Sequence, residues 1–532
     1  KVAHAGICVS LTVVLTAAVR FQAAAEDVPL PLGGFLVHVG CGTGERTVEM
    51  AAKGTWLVQG LDGDDAKVEI AQRLVRSKGL AGLVSIDRWG GRRLPYADNL
   101  VNLLVCEDPR LSKEEALRVL APYGMAKLRG ETIRKPYPKE MDGWTHLRHG
   151  ADGNPVSQDA LVGVPHEIRW ISGVSLGVRA RPLTSDGKYY LGNATYDAFN
   201  GLPLWKGSAS PRAAADGRVY GFSGGKIVAE DAATGAVVGE FGTGDAKAAT
   251  VLVLDGKVVV ATPGSLRAHE AKTGRVIWSL DVAQPRWAVA GAGRLVCVEG
   301  GGAEAAAVCR DLATGKEKWR SAPDWMKGTT GCSLGPEVLT YEISPYKDGA
   351  MCTLKALSVA DGKELWSHDY KPAMGHRFQA RGLFLGKDLW IHQEGFAQMD
   401  PKTGKKVKSV PGGRGHCFPA IATIRYLIHG ELNLTDAATG KMEANRITKG
   451  SCTEDPFIPA NGLLYSIPKN CICFPMVEGF TALAPTSPSA ARMPPGAWAE
   501  GGLERGPAAN ASWTRETAPA PGEVERPMYR HD

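Results

Sequence analysis

The sequence predicts a multidomain protein, with an N-terminal α/β domain of Rossmann-like topology followed by an all-β propeller of eight blades. Two observations lead to this prediction: a glycine-rich turn follows a short apolar segment near residue 40, and a Thr-Gly turn recurs about every 40 residues further on. The composition agrees, since 65 Gly, 33 Pro and only 7% aromatic residues favour many turns over long helices.

Charge and apolar content exclude several classes of protein. The chain has 532 residues, of which 62 are basic and 56 acidic, and the net charge of +6 is too small to indicate nucleic acid as the partner. Because 44% of the residues are hydrophobic and 22% are charged, the chain is not disordered as a whole. The length allows two or three folded domains.

Residues 1–25 are expected to be a secretory signal peptide. A basic start precedes an apolar run over residues 7–19, and three alanines ending at Ala25 form a small-residue cleavage site. The run is shorter than the ~18 residues needed to span a bilayer, and no later segment is apolar enough to do so. We therefore expect an exported protein, periplasmic or on the cell surface. The alternative is a buried or amphipathic N-terminal segment.

The first predicted domain begins with a strand, a glycine turn and a helix. The apolar residues 35–39 lead into Gly40, Gly42 and Gly44, and a helical pattern follows over residues 45–52. Glycine lets the backbone approach a ligand closely, and a helix N-terminus offers unpaired N–H groups. The third glycine comes two residues after the second instead of three, so the dinucleotide-binding fingerprint is not met.

Two further predicted strands each end in a carboxylate. The strand over residues 56–61 leads to Asp62, where a carboxylate can accept hydrogen bonds from both ribose hydroxyls of a nucleotide. After a helix, the strand over residues 83–86 leads to Asp87. Together these elements place the α/β domain at residues 28–135.

The Gly-x-Gly-x-Gly turn resembles that of class I S-adenosylmethionine-dependent methyltransferases. Residues 94–105 look like the fourth-strand segment of that family, and residues 114–124 look like the helix and turn after it. The resemblance implies S-adenosylmethionine as the cofactor, with Asp87 near the adenine. It assigns cofactor binding to Gly40, Gly42, Gly44, Asp62 and Asp87.

The sequence departs from the methyltransferase pattern at two places. Asn102 stands where such enzymes usually carry Asp, and residues 106–109 stand where an Asn-Pro-Pro-Tyr-type acceptor motif would follow the fourth strand. In addition, S-adenosylmethionine is made in the cytoplasm, so an exported domain would not normally meet it. Either the domain is a scaffold of doubtful activity, or the interpretation as a signal peptide is wrong.

A repeat array is predicted over residues 142–486. The glycines of its turns, from Gly201 to Gly440, are separated by 34, 39, 41, 47, 42 and 36 residues. Asp and Thr side chains can bond such a turn, and Gly adopts its positive φ. In four repeats a tryptophan follows the glycine by four residues and is expected to wedge between neighbouring sheets; these are Trp205, Trp278, Trp319 and Trp366.

The repeats are typical of propeller blades of four strands each. Seven turn signatures and a degenerate one at residues 479–485 predict eight blades. A single blade cannot bury both of its faces, so stacking around a ring supplies the core. Residues 166–170, ahead of the first blade, are expected to supply the strand that closes the ring. The pattern resembles the repeat propellers of the pyrroloquinoline-quinone type.

This second resemblance implies a fold rather than a cofactor. Quinone-dependent dehydrogenases of the family have a Cys-Cys pair, a calcium site and an Asp base, and this chain has no Cys-Cys dipeptide. Pyrroloquinoline quinone is therefore not expected to bind. Non-catalytic scaffolds such as the outer-membrane assembly lipoprotein share the repeat. A protein or small-molecule ligand on the propeller surface is accordingly the expected partner.

Four of the 11 cysteines crowd the last two predicted blades. In an oxidising compartment Cys417, Cys452, Cys471 and Cys473 would form one or two disulfides that pin the ring closure. The alternatives are inert thiols or a soft-metal site, in which Cys471 and Cys473 bind copper(I) or zinc together with Cys417, Cys452 or His416.

Most of the chain resembles multidomain proteins of planctomycete-type bacteria, in which a methyltransferase-like domain precedes a quinone-type propeller. Residues 60–62, 85–89 and 94–102 carry this resemblance. Residues 487–532 are predicted to be a linker and the start of a second repeat region, because they are rich in Pro, Ala, Gly and Ser and their end echoes residues 144–150.

The sequence thus predicts an exported binding or scaffold propeller fused to a methyltransferase-like domain of doubtful activity. Two enzymes are the alternatives. One is an S-adenosylmethionine-dependent methyltransferase whose propeller presents the substrate. The other is a quinone- or metal-dependent oxidoreductase that uses the propeller axis. No catalytic residue is assigned.

Overall fold

The α/β domain and the propeller belong to one compact unit, which ends at Pro485. The computed structural model describes residues 32–91, 93–172, 181–243, 250–415, 417–445, 447–448, 455, 457–467 and 479–486. The predicted signal peptide and the predicted C-terminal linker lie outside the described residues.

A six-stranded mixed sheet with the strand order 3-2-1-4-5-6 forms the α/β domain. The first five strands are parallel and the sixth is antiparallel. The elements are β1 (Gly33–Val39), α1 (Glu45–Ala51), β2 (Thr55–Asp62), α2 (Asp65–Ser77), β3 (Val84–Arg88), β4 (Val101–Cys106), α3 (Lys113–Val119), β5 (Leu120–Leu128) and β6 (Glu131–Arg134).

The predicted strand, glycine turn and helix are confirmed, and the bounds of β1, α1 and β2 agree with the prediction within two residues. The segment predicted as a helix and turn, residues 114–124, differs, because the helix ends at Val119 and β5 starts directly after it. Tyr123 adopts φ 65° inside β5, where the register with β4 shifts and its N–H bonds Lys135 O at 2.9 Å. The expected turn is therefore an irregularity within a strand.

Eight sheets form the propeller, and two short strands, β7 (Val156–Ser157) and β8 (Glu167–Ser172), precede them. Blades 1 to 4 are β9 (Leu183–Ser185), β10 (Lys188–Leu191), β11 (Ala194–Asp197), β12 (Pro203–Lys206); β13 (Ser210–Ala215), β14 (Arg218–Ser223), β15 (Lys226–Asp231), β16 (Val237–Gly242); β17 (Thr250–Leu254), β18 (Lys257–Thr262), β19 (Ser265–Glu270), β20 (Val276–Asp281); β21 (Arg286–Gly291), β22 (Arg294–Glu299), β23 (Ala306–Asp311) and β24 (Glu317–Ser321).

Blades 5 to 8 repeat the antiparallel pattern, and β7 adds a fifth, parallel strand to blade 7. Their strands are β25 (Gly331–Leu334), β26 (Val338–Ile343), β27 (Cys352–Ser358), β28 (Glu364–Tyr370); β29 (Leu383–Leu385), β30 (Asp388–Gln393), β31 (Gly395–Met399), β32 (Lys406–Val410); β33 (Ile421–Thr423), β34 (Tyr426–His429), β35 (Asn433–Asp436), β36 (Met442–Ala444); β37 (Phe457–Ala460), β38 (Leu463–Ser466) and β39 (Phe480–Ala484). Short 3-10 helices, Gly302–Glu304 and Asp324–Gly328, flank β23 and β24.

Each Thr-Gly turn joins the third and fourth strands of a blade. In blade 2, Asp231 Oδ1 accepts hydrogen bonds from the N–H groups of Ala233 (3.0 Å) and Thr234 (2.9 Å), and Gly235 takes φ 75°. These contacts confirm the predicted role of the repeated residues.

Tryptophans lock five of the eight blades to the blade that follows. The Trp319 ring lies against Gly362 in the following blade, so close that a Cβ there would be 2.5 Å from the indole. Trp319 Nε1 also donates to Val359 O at 3.0 Å. Four other tryptophans make the same pair of contacts; they are Trp170, Trp205, Trp278 and Trp366. The predicted wedge between sheets is confirmed.

The ring is closed by a strand from ahead of the first blade, as the sequence predicts. β8 pairs with β39 as the outermost strand of blade 8. Trp170 in β8 then packs on Gly201 of blade 1 and donates its indole N–H to Ala198 O at 2.9 Å. Both ends of the propeller chain therefore meet in one blade.

A second closure, which the sequence did not predict, is made by residues 142–159, the axial segment. This segment runs once around the central axis of the propeller. Its residues form hydrogen bonds with blades 1 to 8 in chain order. The backbone partners in blades 1 to 5 are the pairs Trp144–Thr184, Thr145–Ala214, Ala151–Ala290 and Asp152–Leu334, with Val253 donating to His146 Nε2. In blades 7 and 8 the backbone pairs are Pro155–Ala422 and Asp142–Asn461. In blade 6 the Asn154 carboxamide bonds the backbone N–H and C=O of Phe384, and in blade 8 the Asp159 carboxylate also accepts the Gly462 N–H.

No helix in the described parts of the chain is long and apolar enough to cross a membrane.

The contact between tryptophan and glycine predicts that Gly→Ala lowers the free energy of unfolding by different amounts at two positions with nearly the same φ. Gly362 (φ 72°) faces the Trp319 ring, whereas Gly217 (φ 70°) has no atom within 4 Å of an added Cβ. Gly217→Ala should lower the free energy of unfolding by about 1–2 kcal/mol, the cost of a left-handed alanine. Gly362→Ala should cost about 1–3 kcal/mol more, because the methyl group also collides with the indole.

Urea denaturation followed by tryptophan fluorescence measures both variants. If both variants lost the same free energy of unfolding, the indole of Trp319 would not hold the turn.

Candidate functional site

The glycine turn opens a crevice at the carboxyl ends of β1 and β4, where the strand order reverses and where α/β sheets bind ligands. Gly40, Gly42 and Gly44 have φ values of 79°, 57° and 92°. A Cβ on Gly44 would lie 2.9 Å from Ala71 Cβ, so this glycine lets α1 and α2 pack. Gly42 faces open space, with no atom within 4 Å of an added Cβ. The turn therefore leaves room above the middle glycine.

Asp62, at the end of β2, is joined directly to this turn. Its Oδ2 accepts the Gly42 N–H at 2.8 Å, and its Oδ1 accepts the Asp64 N–H at 3.0 Å. A carboxylate has about four acceptor positions, so those not used here can accept hydroxyl groups of a ligand. The structure thus brings Asp62 and the three predicted glycines together.

Asp87 has different surroundings. It lies one residue before the end of β3, and its Oδ2 accepts the Gln59 side-chain N–H at 2.6 Å. Gln59 Oε1 in turn accepts the Tyr96 hydroxyl at 2.7 Å. This chain of hydrogen bonds ties Asp87 to β2 and to Tyr96, and none of its bonds reaches the glycine turn.

The loop after β4 forms the other wall of the crevice, although its residues 106–109 were noted from the sequence only as a departure from the methyltransferase pattern. Asp108 Cβ lies 3.9 Å from the position of a Cβ on Gly40. Arg110 makes a bidentate pair with Asp108, and its Nη2 lies 2.6 Å from Asp108 Oδ2. Hydrogen bonds from Arg110 lower the pKa of Asp108. The Arg110 guanidinium lies 5.3 Å from the centre of the Trp89 ring, beside Gly63.

Titratable groups beneath the turn are held in their neutral forms. Burial, assisted by Arg46, lowers the pKa of His38 to about 4, and His38 Nδ1 is paired with Thr47 Oγ1 at 2.8 Å. Burial raises the pKa of Cys41 to about 12 and that of Cys106 to about 11. At neutral pH these three residues therefore provide neither an imidazolium nor a thiolate.

Of the cysteine cluster, only Cys417 lies within the described residues, where it is half-buried. Cys452, Cys471, Cys473 and His416 lie outside them, so the disulfide and metal interpretations stay predictions. Within the described ranges no three or more His, Cys, Asp or Glu side chains are grouped to hold a metal ion. Four cysteines on propeller strands are buried free thiols; they are Cys297, Cys309, Cys332 and Cys352.

The propeller axis is largely taken up by the axial segment. Beside it lies a cavity of about 250 Å³ walled by Trp144, Arg148 and Trp287. Arg148 is buried and makes a bidentate ion pair with Glu342, with N–O distances of 3.1 and 2.9 Å. Arg148 and His149 both have positive φ, 61° and 76°, which marks a tight turn of the segment here.

Two family models match this chain. Residues 36–124 match the model described as "Methyltransferase domain", and residues 192–288 and 262–416 match the one described as "Outer membrane protein assembly factor BamB". The N-terminal domain is therefore a methyltransferase-type α/β domain, and BamB-like repeats forming an eight-bladed propeller follow it.

Individual relatives cover one domain or the other. Methyltransferase GfsG of Streptomyces halstedii is 29% identical over 116 residues, which cover 20% of this chain and 42% of the relative. The chain thus spans less than half the length of that curated relative.

Among solved structures, BamB of Moraxella catarrhalis is 17% identical, with a TM-score of 0.32, over 50% of this chain and 79% of its own. A quinohemoprotein alcohol dehydrogenase of Comamonas testosteroni is 14% identical, with a TM-score of 0.44, over 64% and 80% respectively. A methyltransferase from Methanococcus maripaludis, described as dependent on S-adenosylmethionine, is 20% identical, with a TM-score of 0.17, over 18% and 47%.

Proposed function

We propose that this chain is an exported binding or scaffold protein, in which the propeller contacts a partner and the methyltransferase-type domain is carried on its side. The observation behind this proposal is the place where the two domains meet. Asn102 at the start of β4 bonds Asp197 in blade 1 at 2.7 Å. Arg169 of β8 donates to Asp98 O, just ahead of β4, at 2.7 Å. The propeller therefore holds the amino end of β4.

The glycine crevice lies at the opposite end of the same strand. β4 has six residues, so the two ends are about 20 Å apart at roughly 3.3 Å per residue. A propeller attached at the amino end does not wall the crevice and is not placed to present a substrate to it. Its surface is free to bind a partner instead. BamB-like repeats, whose family description is an outer-membrane assembly factor, support a protein partner and an envelope location.

Cross-linking in the cells that produce the protein tests this proposal. With an amine-reactive reagent, links to other proteins should come from propeller lysines such as Lys272, Lys318 and Lys405. The chain should also fractionate with the periplasm or envelope.

Three lysines of the α/β domain serve as the control for the three propeller lysines. They are Lys53, Lys67 and Lys78, which are also exposed. A cytosolic protein, or links confined to these three lysines, would rule the scaffold out.

A second candidate function, S-adenosylmethionine-dependent methyl transfer, is favoured by the crevice itself. Its residues fit an adenosine cofactor, because Gly42 faces open space and Asp62 has acceptor positions beside it. Gly40, Gly42 and Gly44 would approach the cofactor through their backbone, and Asp62 would accept the ribose hydroxyls. When bound, S-adenosylmethionine supplies an electrophilic methyl group. We place Asp87 on the adenine side, where the exposed guanidinium of Arg110 lies over the buried Trp89 ring and offers a flat cationic group.

Calorimetric titration of the full chain with S-adenosylmethionine tests the second candidate. Saturable binding is expected, and Asp62→Ala should weaken it about 10- to 100-fold, because hydrogen bonds to a charged group contribute about 1.5–3 kcal/mol. Glu69→Gln, an exposed carboxylate on α2, is the matched control and should bind like the wild type. No heat from the wild type at millimolar ligand, or unchanged affinity in Asp62→Ala, would remove this candidate.

A further inference from the structure

The contact between the two domains is built around one carboxamide, that of Asn102. Its Oδ1 accepts the Phe35 N–H at 2.8 Å and the Asn200 side-chain N–H at 2.7 Å. Its Nδ2 donates to Asp197 Oδ2 at 2.7 Å. Because one end of the carboxamide meets two donors and the other end meets a carboxylate, its orientation is fixed. Asn102 thus joins β1 and β4 to the third strand of blade 1.

Asp197 is buried, with 6% of its surface exposed. Its second oxygen, Oδ1, accepts the N–H groups of Phe199 at 2.8 Å and Asn200 at 3.0 Å, which form the blade 1 turn. Burial raises the pKa of this carboxyl, and the hydrogen bond from Asn102 acts against the increase. The same carboxylate therefore orders the turn and receives the other domain.

Other contacts surround this centre. Asn200 Nδ2 also donates to Leu100 O at 3.0 Å. Ala121 of β5 is fully buried and belongs to the same apolar cluster as Trp170 and Tyr189 of the propeller. The core of the propeller thus continues into the α/β domain, and the polar contacts of Asn102 lie beside it.

We propose that Asn102 is the docking residue that locks the methyltransferase-type domain to blade 1, and that the position requires a neutral donor because it faces the buried carboxylate of Asp197. If position 102 carried the Asp that is usual in the methyltransferase pattern, one of its carboxylate oxygens would take the place of Asn102 Nδ2. That oxygen would lie about as close to Asp197 Oδ2 as the amide nitrogen does now. Two carboxylates so close cannot both stay ionised. The absence of the usual Asp from this chain follows from domain docking.

The lock formed by Asn102 and the proposed function both rest on the interface between the two domains, but an experiment can disprove either one without the other. A cytosolic location or a lack of S-adenosylmethionine binding would leave the docking contact as described. A failed lock would leave the crevice and the propeller surface intact.

Hydrogen exchange and small-angle scattering of the full-length chain test the lock. In Asn102→Asp at pH 8, exchange of peptides covering residues 98–102, 120–124 and 197–201 should rise about 10-fold or more, because loss of a hydrogen bond to a charged group corresponds to roughly that factor. The radius of gyration should rise as well. At pH 5, after correction for intrinsic rates, much of the protection should return, because the two carboxyls can share a proton.

The charged groups around this pair are few. Lys188 on β10 faces Asp197 and stabilises its ionised form. Asp186, Asp231 and Arg134 lie around Lys188. None of these groups is altered in the variants, so the pH dependence gained by Asn102→Asp reports on the pair itself.

A charge swap provides the decisive variant. In Asn102→Asp/Asp197→Asn the donor and acceptor exchange sides. The carboxamide now in blade 1 offers its N–H to the carboxylate now on β4, and the oxygen of that carboxamide still accepts from Phe199 and Asn200. Protection should return to within about threefold of the wild type at both pH values, as expected for two residues that couple directly. Asn193→Asp, on an exposed turn of the same blade, is the control: it removes the donor of a long hydrogen bond to Gly207 O and should leave exchange of the three interface peptides at the wild-type rate.

If the interface peptides of Asn102→Asp exchanged at the wild-type rate at pH 8, the proposal would be overturned. It would also be overturned if the double variant folded but its interface peptides stayed unprotected from exchange. If Asn102→Asp does not fold, Asn102→Ala and the double variant still decide. Asn102→Ala should lose protection equally at both pH values, and an alanine variant that is protected like the wild type would overturn the proposal.

Discussion

Closure of the ring is the constraint on which the rest of this structure depends. A four-stranded blade buries a face only against its neighbours, so a row of eight blades is stable as a unit only when the eighth meets the first. Here two segments from ahead of the first blade make that closure. β8 completes blade 8 from outside, and the axial segment binds all eight blades from within. The region between the α/β domain and blade 1 is therefore part of the propeller itself.

This arrangement also fixes the position of the methyltransferase-type domain. The chain leaves β6 and enters the axial segment within eight residues, while β8 returns to the outside of blade 8. Arg169 on β8 and Asp197 in blade 1 then both reach the amino end of β4. Attachment from this side leaves the glycine crevice facing away from the propeller. The two domains thus carry two separate surfaces, in agreement with the proposed scaffold function.

Much of this architecture could be predicted from the sequence, because local patterns encode it. The glycine turn, the carboxylate of Asp62, the Thr-Gly turns and the tryptophans all act on residues nearby or one repeat away. The closing strand was predicted from the position of residues 166–170, directly ahead of the first blade. The axial segment has no such pattern, since each of its residues bonds a different blade, so periodicity cannot reveal it.

The side-chain environment of the crevice was also beyond sequence reasoning. Asp87 was expected beside the cofactor site, but Gln59 and Tyr96, distant in sequence, determine its surroundings. Arg110 joins the crevice only because the loop after β4 folds back over Gly40 and Gly63. Asn102 was noted only as a departure from a family pattern, and its partner Asp197 is 95 residues away.

Native-state hydrogen exchange at the inner strands tests the closed ring most directly. The amides of Ala214, Ala290, Leu334 and Ala422 each bond the axial segment from a different blade. If the segment holds the ring as one unit, these amides should exchange with a common opening free energy equal to that of global unfolding. Opening free energies that fall stepwise from blade to blade, with no common value, would contradict closure by the axial segment.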